Sequence, residues 1–150
     1  MTTAFDIASV FQGEREVEGI GSNPLILAML RSDQAWPEDD DVPWCSAFVN
    51  FVCKLLRLPR SYSLRARSWL QVGVPIPLTD AVPGYDVVIL NRGGPPDPDV
   101  IEAPGHVGFF AALEGPRVWL LGGNQSDSVK VSSYPVKDVL GVRRLADPFQ

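Results

Sequence analysis

One cysteine in this chain stands where a thiol is easily made reactive. Cys45 opens the run CSAFVNFVCKLL, directly after PEDDDVPW. Pro43 suits a first helical turn, and Asp39, Asp40 and Asp41 lie just ahead of it, where a helix N-terminus favours negative charge. Positions 45, 48, 49, 52 and 56 share one face of the predicted helix and read Cys, Phe, Val, Val, Leu. Cys45 is therefore expected at the positive end of a helix, turned toward the protein body. In that setting a thiol loses its proton most readily and becomes a nucleophile.

A nucleophilic thiol needs a base, and the chain has a single histidine, His106. It sits in PGHVGFFAAL, an apolar run with glycines on both sides that reads as a buried strand with its first residues left bare. Further on, VWLLGGNQSDS reads as a second apolar strand that ends in Gly122 and Gly123 and delivers Asn124. A cysteine on a helix start, a histidine on a strand start and an amide on the next strand end can converge, the amide then fixing the imidazole tautomer. Taken singly, each has a plainer reading: a packed thiol, a satisfied core histidine, a turn asparagine. Their order, each at the end of an element, favours catalysis.

The elements that must position them fall into two halves. Residues 3–12, 24–30, 45–56 and 63–70 read as helices, with Asn23 capping the second and Pro24 at its first position. Residues 86–90, 106–113, 117–121, 128–132 and 139–144 read as strands. Between the first two strands lies NRGGPPDPDVIEAPG, a long proline-rich loop that enters directly at His106; loops of this length are often functional. Helices first and a small antiparallel sheet afterwards make an α+β fold with the helices on one side of the sheet. A single domain over residues 1–150 is expected.

Composition narrows the function. Hydrophobic residues make up 45% and charged residues 21%, as in an ordinary globular protein. The net charge of −5 argues against a general nucleic-acid binder. No apolar run approaches the roughly 18 residues of a membrane span. MTTAFDIASVFQGERE lacks the basic start and apolar core of a secretion signal, so synthesis in the cytoplasm is expected. Cys45 and Cys53 lie roughly 12 Å apart along one helix, too far for a disulfide or a shared zinc. Basic residues Lys54, Arg57, Arg60, Arg65 and Arg67 follow the cysteine, either as a solvated face or as a cleft wall suited to carboxylates.

Four segments in this order, DDDVPWCSAFVNF, ARSWL, GHVGFF and LGGNQSDSV, resemble papain-like cysteine amidohydrolases and peptidases of the CHAP and NlpC type. More narrowly they resemble bacterial and phage cell-wall hydrolases, and members of this short length without an export signal resemble phage endolysins. Weaker likeness at EVEGIGSNPLIL and VLGVRRL extends the match over nearly the whole chain. The resemblance implies a papain-like fold and cleavage of an amide bond in peptidoglycan stem peptides. It makes Cys45 the nucleophile, His106 the general base and Asn124 the third member, with Gln125 and Asp127 the nearest alternatives for that role. Trp44, Arg67, Ser68 and Trp69 would line or brace the cleft, with Gln125 also counted among the substrate-binding residues. Some CHAP domains hold calcium on spaced aspartates upstream of the cysteine. Here Asp33 and Asp39 to Asp41 occupy that region, and consecutive aspartates do not form such a loop. No cofactor and no metal are expected.

The expected partner is peptidoglycan, with neither nucleic acid nor membrane insertion, and the expected state is a monomer that reaches the wall after release by another factor. Two other functions use the same residues differently. A deamidase or transamidase toxin would need the same Cys45 and His106. A binding or structural module of a phage particle or cell wall would carry them as relics.

Overall fold

Asn23 and Pro24 start a helix as their types dictate: the Asn23 side chain accepts from the Leu25 N–H, and Pro24 needs no donor. The computed structural model describes residues 1–149 and contains three α-helices, α1 (Ala4–Val10), α2 (Pro24–Leu30) and α3 (Cys45–Leu56). Thr3 and Asp6 form a capping box at the start of α1. Helix α3 begins at Cys45 with Trp44 as its cap residue, so Pro43 lies just outside it and not in its first turn. The fourth helix expected at 63–70 is a 3-10 helix at Ala66–Gln71. Serines divert the chain before it: the Ser63 hydroxyl takes the Arg65 N–H and the Ser61 hydroxyl takes that of Ser63, which favours turns over α-helix.

Six strands follow: β1 (Val74–Ile76), β2 (Asp86–Asn91), β3 (Gly105–Glu114), β4 (Arg117–Gln125), β5 (Ser128–Pro135) and β6 (Val139–Arg144). They form one antiparallel sheet in the order β1-β6-β2-β3-β4-β5. Strand β1 was not expected from the sequence. It is a short outer strand that carries Pro75, and proline is tolerated at a sheet edge.

The larger core lies between helices and sheet. Phe48, Val49 and Val52 of α3 pack with Val87, Ile89, Val107, Phe109 and Leu121, all buried. The opposite face of the sheet carries a second cluster, Val88, Leu90, Phe110, Val118, Leu120 and Val142. Strand alternation thus sorts each residue onto the helix face or the far face.

One break in that alternation matters. Strand β4 pairs Gly122 with Lys130 and Gln125 with Ser128, so three steps on β4 oppose two on β5. This is a β-bulge, with Asn124 in the left-handed region at φ 57. Ser126 and Asp127, also left-handed at φ 49 and 60, then close a two-residue hairpin loop of the type I′ pattern.

Candidate active site

Cys45 occupies the first position of α3, where the helix still has unsatisfied N–H groups. Its thiol is held well inside the protein at 4% exposure, and burial opposes ionisation. Yet the thiol pKa is lowered below its ordinary value. Burial is the largest single influence, and it is outweighed by the His106 side chain together with the N–H groups of Val107 and Ser46. Ser46 offers a helix N-terminal donor. Val107 belongs to the start of β3, ahead of the stretch from Phe109 onward that pairs with β4. The thiol sits where those two strands part.

His106 lies opposite Leu90 on β2, on the far face of the sheet, at 3% exposure. Its Nε2 is 2.9 Å from Gln125 Oε1. The orientation of that amide is fixed by its nitrogen, which donates to the carbonyls of Leu120 at 3.2 Å and Lys130 at 2.6 Å. Only the oxygen can then face the ring, so Nε2 carries the hydrogen and Nδ1 the lone pair. Nδ1 is buried and makes no hydrogen bond of regular geometry. It is the ring nitrogen left to take the thiol proton, and such contacts often tighten only with substrate.

Gln125, and not Asn124, therefore holds the imidazole, which corrects the expectation that Asn124 is the third member. The bulge is the cause. A regular strand would place residue 124 on the face shared by Leu120 and Gly122, but the extra residue hands that face to Gln125. Gln125 is also 2% exposed and bonded on both sides, so it is no substrate-binding surface.

Gly122 and Gly123 each serve one face. A Cβ at Gly122 would lie 2.7 Å from Gln125 Oε1, and one at Gly123 would lie 2.6 Å from the Trp44 ring. The first glycine makes room for the amide and the second lets the start of α3 close onto the sheet.

The other expected cleft residues are braces. Trp44 is fully buried, with its indole N–H donating to Glu16 at 2.7 Å. Trp69, also fully buried, donates to the Ser46 hydroxyl at 2.9 Å, and Ser68 donates to the Arg65 carbonyl at 2.6 Å. Arg67 is fully buried and spends its guanidinium on the loop ahead of β3. It donates to the carbonyls of Pro104 at 3.0 Å, Asp97 and Val100 at 3.2 Å, and to Asn91 Oδ1 at 2.8 Å. It cannot also orient a substrate carboxylate. Arg60 pairs with Asp33, and Lys54 reaches Ser32 near the far end of α3, so they build no wall at Cys45. Asp40, expected to serve the helix N-terminus, instead takes the N–H groups of Val17 at 3.0 Å and Asn23 at 2.7 Å.

Two residues at the site had no part in the sequence reading. Tyr134 of β5 lies with its hydroxyl 3.4 Å from His106 Nε2 and its ring centre 5.3 Å from the imidazole. Burial, the main cause, pushes its phenol up to about 12, Arg92 pulling it down and Cys45 adding to the rise. Arg92 and Tyr134 share with His106 a cavity of about 430 Å³, walled also by Asn91, Gly93 and Asp138. Nothing in the sequence marks either: Tyr134 shares its register on β5 with Ser128, Lys130 and Ser132, and Arg92 opens an ordinary polar loop.

A helical half packed on one face of an antiparallel sheet, with the helix start at the sheet, is an α+β fold of NlpC type. Among solved structures the chain is similar to NlpC1 from Trichomonas vaginalis, at a TM-score of 0.55 and 18% identity over 95% of this chain and 42% of that one. The likeness is one of fold, and this chain spans less than half of that structure's length. No protein-family model and no curated protein matches the sequence.

Proposed function

We propose that this chain is a thiol-dependent hydrolase that cleaves an amide bond in the stem peptides of peptidoglycan. The observation that carries the reading is the line Cys45–His106–Gln125: a thiol with a lowered pKa at a helix start, beside an imidazole whose tautomer is fixed from behind. The NlpC-type fold supports it. The narrower reading, an amidase or endopeptidase of phage endolysin type, rests on the sequence resemblance.

The chemistry is acyl transfer. Nδ1 of His106 takes the proton of Cys45, and the thiolate attacks the amide carbonyl carbon, forming a C–S bond. The N–H of Cys45 at the helix start is the donor proposed for the developing oxyanion. His106 returns its proton to the amide nitrogen as the C–N bond breaks, and the amine leaves. Water then loses a proton to His106 and attacks the thioester, and the acid departs as the thiol is restored. Gln125 Oε1 accepts from Nε2–H throughout, keeping Nδ1 toward the sulfur.

The test is turbidity loss of purified peptidoglycan, with mass spectrometry of the released fragments. Wild type should release peptide or glycan fragments with a new amine, and Cys45→Ala should release none. Ammonia release from protein glutamine with an intact wall would replace this reading by the deamidase one.

A further inference from the structure

The cavity beside the imidazole carries two donors that the proposed hydrolysis leaves unused. The first is the Tyr134 hydroxyl. His106 Nε2 already holds a hydrogen directed at Gln125, so it offers no lone pair to a hydroxyl 3.4 Å away. The Tyr134 proton is thus free to point elsewhere, and the phenol, pushed up to about 12, keeps that proton at neutral pH. The second is Arg92. It follows β2 directly, its backbone N–H is pinned to the Pro104 carbonyl at 3.3 Å, and its side chain is exposed. Among the described residues its guanidinium makes no hydrogen bond or ion pair, not even with Asp138 of the same cavity.

We propose that Arg92 and the Tyr134 hydroxyl form a subsite that holds a free carboxylate of the substrate beside His106. A guanidinium meets a carboxylate through two parallel N–H bonds, and a hydroxyl adds a third donor from the side. Asp138 gives the cavity one negative group as well, so selection works through contact and not through a general positive field. The substrate class is a peptide whose scissile amide lies near a free carboxylate, as opposed to its carboxamide. This subsite rests on the reading of Cys45 as a reactive thiol; the role once expected of Arg67 passes to Arg92.

A pair of alkylating reagents tests it without any wall substrate. Iodoacetate and iodoacetamide differ in carrying a carboxylate or a carboxamide. Their rates at Cys45 are measured at fixed pH and salt by mass mapping, in wild type, Arg92→Gln, Arg92→Lys and Tyr134→Phe, with thermal unfolding to confirm folding. The iodoacetate-to-iodoacetamide ratio in wild type should exceed that of free cysteine. Arg92→Gln should lower it about tenfold and Tyr134→Phe about threefold, the scale of one lost charged or neutral hydrogen bond. Arg92→Lys should restore part of it, since the charge remains without the fork. A ratio indifferent to Arg92, while Cys45 still reacts quickly with iodoacetamide, overturns the subsite alone. If Cys45 reacts with both reagents no faster than Cys53, the reactive-thiol reading fails and the subsite falls with it.

Discussion

Gln125→Met separates the residue that holds the imidazole from its neighbour Asn124. Methionine keeps the length and bulk of glutamine but has no strong donor or acceptor. The change removes the 2.9 Å contact to His106 and the bonds of 3.2 and 2.6 Å to the Leu120 and Lys130 carbonyls. At about 1 kcal/mol net for each, the loss is about 3 kcal/mol. For a chain of this size that lowers Tm by about 6–12 °C. The effect on turnover is larger in kind. With the amide oxygen gone, only the Tyr134 hydroxyl at 3.4 Å stays near Nε2, and a hydroxyl can donate as well as accept. Nε2 no longer has to carry the hydrogen, and the ring can turn Nδ1 away from the sulfur. A general base contributes about 10²–10⁴-fold, so turnover should fall at least about 100-fold. The assay is fragment release from peptidoglycan, run well below the variant's Tm, with alkylation of Cys45 alongside. Asn124→Gly is the partner experiment. Glycine accepts φ 57 without strain, so this variant should stay within about twofold of wild type. Turnover of Gln125→Met within about threefold of wild type, or an equal loss in Asn124→Gly, would refute the assignment.

Three further outcomes are expected. Alkylation of Cys45 should approach its plateau at lower pH than an ordinary thiol, because a lowered pKa keeps the thiolate present as pH falls. Cys53, pushed up to about 12 by burial, should react only in strong alkali. In His106→Gln the Cys45 plateau should move to higher pH, since the imidazole is lost and burial remains; an unmoved profile would sever the two residues. Gly123→Ala should cost about 1–3 kcal/mol by forcing a methyl against the Trp44 ring, and should depress activity as the start of α3 shifts. Calorimetry and the wall assay read both, and a wild-type result in each would remove the packing role given to that glycine. Arg67→Lys should fail to rescue the loop at 91–105, because a lysine has no planar fork for four acceptors. Faster proteolysis within that loop measures the loss, and wild-type resistance would show that the charge alone suffices.

The fold was legible because its elements obey strong local rules. The Asn23–Pro24 pair, the apolar face from Cys45 to Leu56 and the strands near 86, 106, 117, 128 and 139 all stand where pattern and cap residues place them. That Cys45 and His106 are neighbours was legible for a different reason: few residue types could partner a thiol in the proposed chemistry, and the chain holds one histidine. What could not be read was register. Choosing between Asn124 and Gln125 requires knowing that β4 bulges, and a one-residue slip moves every side chain to the other face. The run NQSD held a clue, since asparagine and aspartate tolerate left-handed backbone. Asn124 and Asp127 do adopt it, and Ser126 between them does as well. Arg67 misled because sequence shows a charge but not its depth: a guanidinium that satisfies buried carbonyls looks like one that meets ligands.

The supports of the Cys45 thiolate arrive late in the chain. His106 and Val107 lie some sixty residues downstream, and Gln125 further still. A ribosome making this protein N-terminus first therefore exposes a cysteine of ordinary acidity for most of synthesis. Only when β3 and β4 have emerged and closed around the helix start does the sulfur gain its neighbours. The lowered thiol pKa on which the proposed function rests is thus a property of the finished fold and not of the residue. An electrophile present during translation would meet a thiol no more dangerous than glutathione's, and the same electrophile afterwards would mark each molecule that folded.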